Sequence, residues 1–170
     1  SVEVDDLMWL LRRFLKSETE TMHRKNVRIR IIGDRSNFSS DIVELIEHSE
    51  EKTSGNDGLK LTAALSYGGR QEIITAVKKL YKDISDGQLL YENVDAEIFT
   101  DYLATSDIPD PDLLIRTSGE KRISNFLLWQ IAYTELVFSE VLWPDFKREN
   151  LALAIEEYNG RERRFGEVIV

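Results

Sequence analysis

The residues best suited to chemistry lie between Asp112 and Glu135, in the run D-L-L-I-R-T-S-G-E-K-R-I-S-N-F-L-L-W-Q-I-A-Y-T-E. Leu113, Leu114 and Ile115 form a short apolar stretch bounded by the breaks at Pro109 and Pro111, the pattern of a buried parallel strand. Arg116 falls where that strand should end, and ligands of open α/β sheets bind outside the carboxyl ends of strands. Thr117, Ser118 and Gly119 read as a turn, after which Arg122 and Ser124 follow closely. Ser124 is suited to cap a helix over the apolar run Phe126 to Tyr133. Two guanidiniums, a hydroxyl and the unpaired N–H groups of a helix start would then converge, which suits a phosphate or diphosphate. Chemistry alone leaves a second reading open, in which the arginines are solvated or paired with Glu120. Glu135 likewise has two readings. A carboxylate within reach of a bound diphosphate is what magnesium requires, and a carboxylate paired with a nearby arginine is the alternative.

The elements that must position these residues follow from periodicity. Val4, Leu7, Met8, Leu11, Phe14 and Leu15 recur at helical spacing and predict a helix ending near His23 to Asn26. Val27 to Ile32 is β-branched and alternating, with Gly33 and Asp34 as the turn at its carboxyl end. Ser39 or Ser40 can cap a helix carrying Ile42, Val43, Leu45 and Ile46, and Leu59 to Leu65 is the next strand. That strand ends in Ser66-Tyr67-Gly68-Gly69-Arg70, where the glycines permit a sharp turn and close backbone approach. A glycine pair is a weak phosphate signal, and the plain turn is the better reading. Helices are predicted over Gln71 to Ile84 and Asp95 to Leu103, a last strand over Glu135 to Ser139, and a terminal helix from Pro144 through Tyr158. Strands alternating with helices predict an α/β fold, a parallel β-sheet flanked by helices, in a single domain spanning residues 1–170.

Composition narrows the function classes. A chain with 42% hydrophobic and 31% charged residues has the balance of a soluble globular domain, so disorder is not invoked. The absence of cysteine excludes disulfide scaffolds, thiolate nucleophiles and thiolate metal sites, and is compatible with a cytoplasmic address. A formal net charge of -9 argues against nucleic-acid binding and makes any anionic ligand depend on a local cationic cluster. Arg116 with Arg122 is one such cluster, and Arg161 to Arg164 is another, whose plainer role is to complement a helix C-terminus. No stretch has the length of an apolar membrane span. His23 and His48 lack metal-ligand spacing, and no serine sits in a nucleophile-elbow motif. Trp9, Trp129 and Trp143 read as core or interface residues.

The Arg116–Gln130 stretch closely resembles the signature of the cis-prenyltransferases, the undecaprenyl diphosphate synthase family, in which R-T-x-G-E-x-R-x-S-N-F-L-L-W-Q precedes an acidic residue. The resemblance covers essentially all 170 residues, but only the later part of a typical family chain. It implies that Arg116, Arg122 and Ser124 hold the diphosphate of isopentenyl diphosphate, that Glu120 orients the arginines, and that Glu135 is an acidic ligand to Mg²⁺. It implies repeated condensation of isopentenyl diphosphate onto an allylic diphosphate such as farnesyl diphosphate, with cis double bonds formed. It also implies a homodimer with the region from Trp129 to Trp143 near the subunit contact, and peripheral membrane contact through the lipid product. The first helix would line a tunnel for the growing chain.

The sequence departs from the family in three places. Ser66 stands where the family has asparagine, a serine- and asparagine-containing loop is absent, and no Asp-Gly-Asn-Gly-Arg turn occurs, since neither Asp57-Gly58 nor Asp86-Gly87 continues correctly. That turn holds the family's catalytic aspartate, so no catalytic residue is assigned within 1–170, the aspartate is expected upstream of Ser1, and the chain by itself is expected to be inactive. The competing readings are a non-catalytic partner subunit of a polyprenyl diphosphate synthase and a generic nucleotide-binding α/β domain. The lack of a G-x-G-x-x-G turn disfavours the second.

Overall fold

A computed structural model describes residues 2–161, with side chains from Asp6 onward. The chain divides into two compact units, Ser1–Tyr67 and Gly68–Val170. The first contains α1 (Val2–Arg24), β1 (Arg28–Ile32), a 3-10 turn, α2 (Ser40–Thr53) and β2 (Lys60–Ala64). Helical spacing in α1 brings Met8, Leu11 and Leu15 onto α2 and β1, where Leu15, Ile31, Ile42 and Ile46 form the core. Leu7, Trp9, Leu10 and Phe14 remain exposed, so Trp9 is not a core residue in this unit. β1 and β2 are parallel, in register from Arg28 opposite Lys60 to Ile32 opposite Ala64. Ile29 N–H on β1 donates to Thr53 Oγ1 at 3.0 Å and Ile31 N–H to Glu50 Oε1 at 2.8 Å, so α2 satisfies backbone groups that strand pairing leaves over.

Ser39 occupies the N-cap position of α2 without making a cap bond. Its hydroxyl instead accepts from Arg12 Nη2 at 2.9 Å, within an ion pair between Arg12 and Asp41. Glycine is required at Gly33, where φ is +121° and a Cβ would lie 1.9 Å from the Leu65 carbonyl oxygen.

The second unit contains α3 (Gly69–Ser85), α4 (Ala96–Asp101), β3 (Leu113–Arg116), β4 (Glu135–Phe138) and α5 (Arg148–Asn159), with 3-10 turns before α4 and α5. β3 and β4 are parallel, with Leu113 opposite Glu135 and Arg116 opposite Phe138. The alternation of elements therefore gives parallel strands flanked by helices as expected, with the four strands paired two by two. α5 begins at Arg148 rather than Pro144, because Trp143–Asp145 forms a 3-10 turn and Asn150 Oδ1 takes the Lys147 N–H at 2.8 Å.

The helix expected from Ser124 is a correction. The crossover from β3 to β4 runs as successive turns, with positive φ at Ser124 (48°), Asn125 (64°) and Leu127 (44°). An N-cap needs an extended backbone and a helix needs negative φ throughout, so Ser124 caps nothing here. The physical reason is tertiary: the carbonyl and side chain of Asn125 are engaged by the start of α3, and only isolated turn bonds such as Phe126 N–H to Ile123 O form within the segment.

Candidate functional site

At the carboxyl end of β3 the strand ladder continues into the following turns. Ser139 N–H donates to Arg116 O at 2.8 Å, Ser118 N–H to Val141 O at 2.8 Å and Gly119 N–H to Ser139 O at 3.0 Å. Ser118 and Gly119 take φ of 69° and 68°, and a Cβ on Gly119 would sit 2.5 Å from Glu140 Oε2. The backbone is thereby turned around a cavity of about 440 Å³ lined by Leu114, Ile115, Arg116, Thr117, Ser118, Ile123 and Phe126. Its volume falls in the range of small-ligand sites. The lining mixes the apolar side chains of Leu114, Ile115, Ile123 and Phe126 with one half-buried guanidinium and two hydroxyl-bearing residues at the strand end. Arg116 has no ion-pair partner among the described residues.

The other expected residues are not in this cavity. Arg122 is ion-paired with Glu120 and its side chain is 67% exposed, which matches the open alternative of pairing within the loop. Ser124 is exposed on its left-handed turn. Glu135 lies at the opposite end of the β3–β4 ladder from Arg116, three residue steps or about 10 Å along the strand. Glu135 Oε2 accepts from Arg161 Nη1 at 2.7 Å, and Arg161 also pairs with Glu157 one helical turn earlier. These bonds, Glu135 first and then Glu157, raise the Arg161 pKa above its ordinary value. Arg161 is thus committed to carboxylates rather than to a helix terminus alone, while Arg163 and Arg164 lie outside the described residues.

Among the described residues no cluster of three metal-ligating side chains exists. Glu135 can offer magnesium one carboxylate oxygen beside the one held by Arg161. That fits an ion carried mainly by substrate phosphates and water, and does not fit a freestanding protein cage.

Several positioning residues escaped the sequence reading. Gly69 N–H donates to Asn125 O at 2.7 Å, and Arg70 N–H donates to Asn125 Oδ1 at 2.9 Å. The first amides of α3 are therefore occupied by a side chain and backbone of the same unit, and the glycine pair serves close approach. A Cβ on Gly68 would lie 2.6 Å from Asn125 Nδ2, and one on Gly69 would lie 2.8 Å from Leu128 Cγ. Gln130, only 3% exposed, donates through Nε2 to Glu72 Oε2 at 3.0 Å and to Thr105 Oγ1 at 2.9 Å. Glu72 Oε1 accepts the Ala104 N–H at 2.9 Å. An amide inside an otherwise apolar run was the available signal for Gln130. Trp129 is part-exposed, against Phe99 with ring centroids 4.6 Å apart, and Trp143 stacks on Phe146 at 5.9 Å; neither is deep core.

Parallel strands flanked by helices, with an arginine at one strand end beside a cavity of mixed lining, define an α/β protein. The chain belongs to the undecaprenyl diphosphate synthase family: the family model described as "Putative undecaprenyl diphosphate synthase" matches residues 1–166. An isoprenyl transferase of Rhizobium meliloti is 52% identical over 164 residues, covering 96% of this chain and 66% of the relative. A Coxiella burnetii protein named ditrans,polycis-undecaprenyl-diphosphate synthase ((2E,6E)-farnesyl-diphosphate specific) is 48% identical over 164 residues, covering 96% of this chain and 69% of the relative. The crystal structure of lavandulyl diphosphate synthase from Lavandula x intermedia, in complex with dimethylallyl diphosphate, superposes with a TM-score of 0.94 at 35% identity, covering 98% of this chain and 72% of that one. A "probable undecaprenyl diphosphate synthase" from Campylobacter jejuni gives a TM-score of 0.87 at 38% identity, covering 98% of this chain and 76% of that one. The chain spans just under two thirds of the length of the first curated relatives, at 66%.

Proposed function

We propose that residues 1–170 carry the isopentenyl-diphosphate-binding half of a cis-prenyltransferase that builds a long polyprenyl diphosphate. The observation that carries this reading is the cavity at the β3 end, where Arg116 meets the apolar walls of Leu114, Ile115, Ile123 and Phe126. A diphosphate needs the cation and a five-carbon prenyl unit needs the walls. The names of the relatives support the substrate class, as does the allylic diphosphate in the Lavandula structure. A family model running through both compact units supports treating them as one domain.

In the reaction, the carbon–oxygen bond of the allylic diphosphate breaks and its carbon bonds to the isopentenyl double bond. A proton leaves the added unit, and diphosphate and the extended allylic diphosphate remain. Arg116 neutralises and orients the incoming diphosphate. Arg122 adds a second cation on release from Glu120, and Ser124 adds a hydroxyl donor. Stabilising charge with groups already in place is the main lever in such chemistry. Magnesium, when bound, would supply further charge neutralisation on the diphosphates, with Glu135 as its protein ligand and Arg161 holding that carboxylate in orientation. A homodimer, a cytoplasmic location and membrane contact through the product belong to the same reading. No helix among the described residues is long and apolar enough to cross a membrane.

The Asp-Gly-Asn-Gly-Arg turn does not occur in residues 1–170, so this stretch alone should bind isopentenyl diphosphate without elongating an allylic primer. The test is incorporation of radiolabelled isopentenyl diphosphate into butanol-extractable product. Turnover by residues 1–170 alone would overturn the half-site reading. The second reading, a non-catalytic partner subunit, predicts that adding the chain raises the activity of a complete synthase while Arg116→Ala changes nothing. Simultaneous retention of Arg116, Arg122, Ser124 and Glu135 favours the enzyme. In an active assembly, Glu135→Gln should make activity much less responsive to magnesium.

A further inference from the structure

Asn125 joins the crossover between β3 and β4 to the start of α3, and its surroundings are built around that contact. The backbone carbonyl takes the Gly69 N–H at 2.7 Å while Oδ1 of the same residue takes the Arg70 N–H at 2.9 Å. Gly69 is sterically required, because a Cβ there would meet the Leu128 backbone nitrogen at 2.9 Å, and a Cβ on Gly68 would press on Asn125 Nδ2 at 2.6 Å. Asn125 holds φ of 64° between Ser124 at 48° and Leu127 at 44°, a sequence of left-handed residues that local propensity would not maintain. Asparagine tolerates that region better than most residues and carries a short acceptor for orphan helix amides. Five residues further on, the buried Gln130 bond to Glu72 repeats the attachment to α3.

We infer that Asn125 is a positioning residue: by capping α3 from outside the helix it holds the Thr117–Ser124 loop, with Arg122, in the geometry that receives the diphosphate. The functional part of this inference rests on the isopentenyl diphosphate reading above, whereas the holding of the loop does not. Two of the amides at the start of α3, those of Gly69 and Arg70, are spent on Asn125 rather than on an anion. The diphosphate is therefore recognised by the loop and strand end, with the glycine pair acting as the seat of the clamp.

Asn125→Gly isolates the side chain, since glycine keeps the left-handed backbone and the carbonyl that serves Gly69 while removing Oδ1. Asn125→Asp restores an acceptor at the same place. Two measurements are made on the chain of residues 1–170: hydrogen exchange of peptides covering 117–124 and 68–72, and calorimetric titration with isopentenyl diphosphate. Asn125→Gly should accelerate exchange in both peptides by about fivefold or more, the equivalent of one lost hydrogen bond. It should also weaken isopentenyl diphosphate by about the same factor. Asn125→Asp should return exchange to the parent rate, affinity being left out of that arm because a new negative charge opposes the ligand. Unchanged exchange in Asn125→Gly overturns the inference, as does failure of Asn125→Asp to restore it. Faster exchange with unaltered isopentenyl diphosphate affinity reduces Asn125 to a structural role and overturns its positioning role. If the parent chain does not bind isopentenyl diphosphate while exchange behaves as expected, the substrate reading fails and Asn125 still holds the loop.

Discussion

Ser1–Tyr67 and Gly68–Val170 both set a parallel strand pair among helices, but they hold it by different means. The first unit relies on volume: Ile42 and Ile46 are 1% and 0% exposed, and Leu15 and Ile31 close around them. Its polar contacts complete that core, as with the hydroxyl pair of Thr19 and Ser49 at 2.7 Å between α1 and α2. Among the described residues of the second unit the buried apolar side chains are Ala76, Leu103, Leu114, Val137 and Ala154, two of them alanines, alongside buried Thr105 and Gln130. Its crossover from β3 to β4 has no helical ladder and is fixed by Asn125 and Gln130 instead. The unit that carries the candidate site thus relies on a few directional contacts beside its smaller buried side chains.

Substitutions can break this contrast at either end. The largest effect on stability is expected from Ile46→Ala, which opens a cavity where the surroundings cannot collapse fully. A loss of about 2–5 kcal/mol should appear in urea denaturation. Gln130→Leu keeps the volume but removes the amide shared by Glu72 and Thr105. It should cost about 1–3 kcal/mol, and a neutral result would contradict the claim that the crossover is held by polar contacts. Arg122→Ala should leave denaturation nearly unchanged, because its pair with Glu120 is surface-exposed. It should nonetheless weaken isopentenyl diphosphate about tenfold while sparing an allylic diphosphate; equal loss for both would contradict its assignment.

The smallest effect is expected at Asp41. The Arg12 guanidinium, and next the Ser39 hydroxyl, hold its carboxyl well below the usual carboxylate range. A depressed folded pKa stabilises above the unfolded value of about 4 and is lost as pH falls below it. Asp41→Asn should therefore flatten the acid limb of the stability profile below about pH 4 and change little at neutral pH. An unaltered acid limb would show that the pair contributes nothing.

The regular elements were legible because each carries a periodic trace. The helical spacing through Leu15 gave α1, alternation gave β1, and the short apolar run ending at Arg116 gave β3 with its arginine in the right place. The crossover was misread because Ser124 followed by Phe126–Tyr133 has the local marks of a capped helix. No local mark announces that Gly69 and Arg70, more than fifty positions earlier, will claim Asn125. Glu135 was legible as a strand-start carboxylate, but its partner Arg161 was not, since a 2.7 Å contact between residues 26 apart leaves no pattern in either neighbourhood.

By itself the sequence determined the family, the order and kind of most elements, and the presence of a cationic strand end, because these reside in residue types and short-range spacing. The tertiary structure decided which of the candidate residues share a cavity. Arg116 lies with Thr117 and Ser118 against apolar walls, Arg122 turns to Glu120, and Glu135 is held by Arg161 at the far end of the ladder. Side chains find partners by distance and desolvation once the backbone has brought remote segments together. A hydrogen-bonding group that meets a partner elsewhere in the fold no longer obeys the local rule that its neighbours suggest.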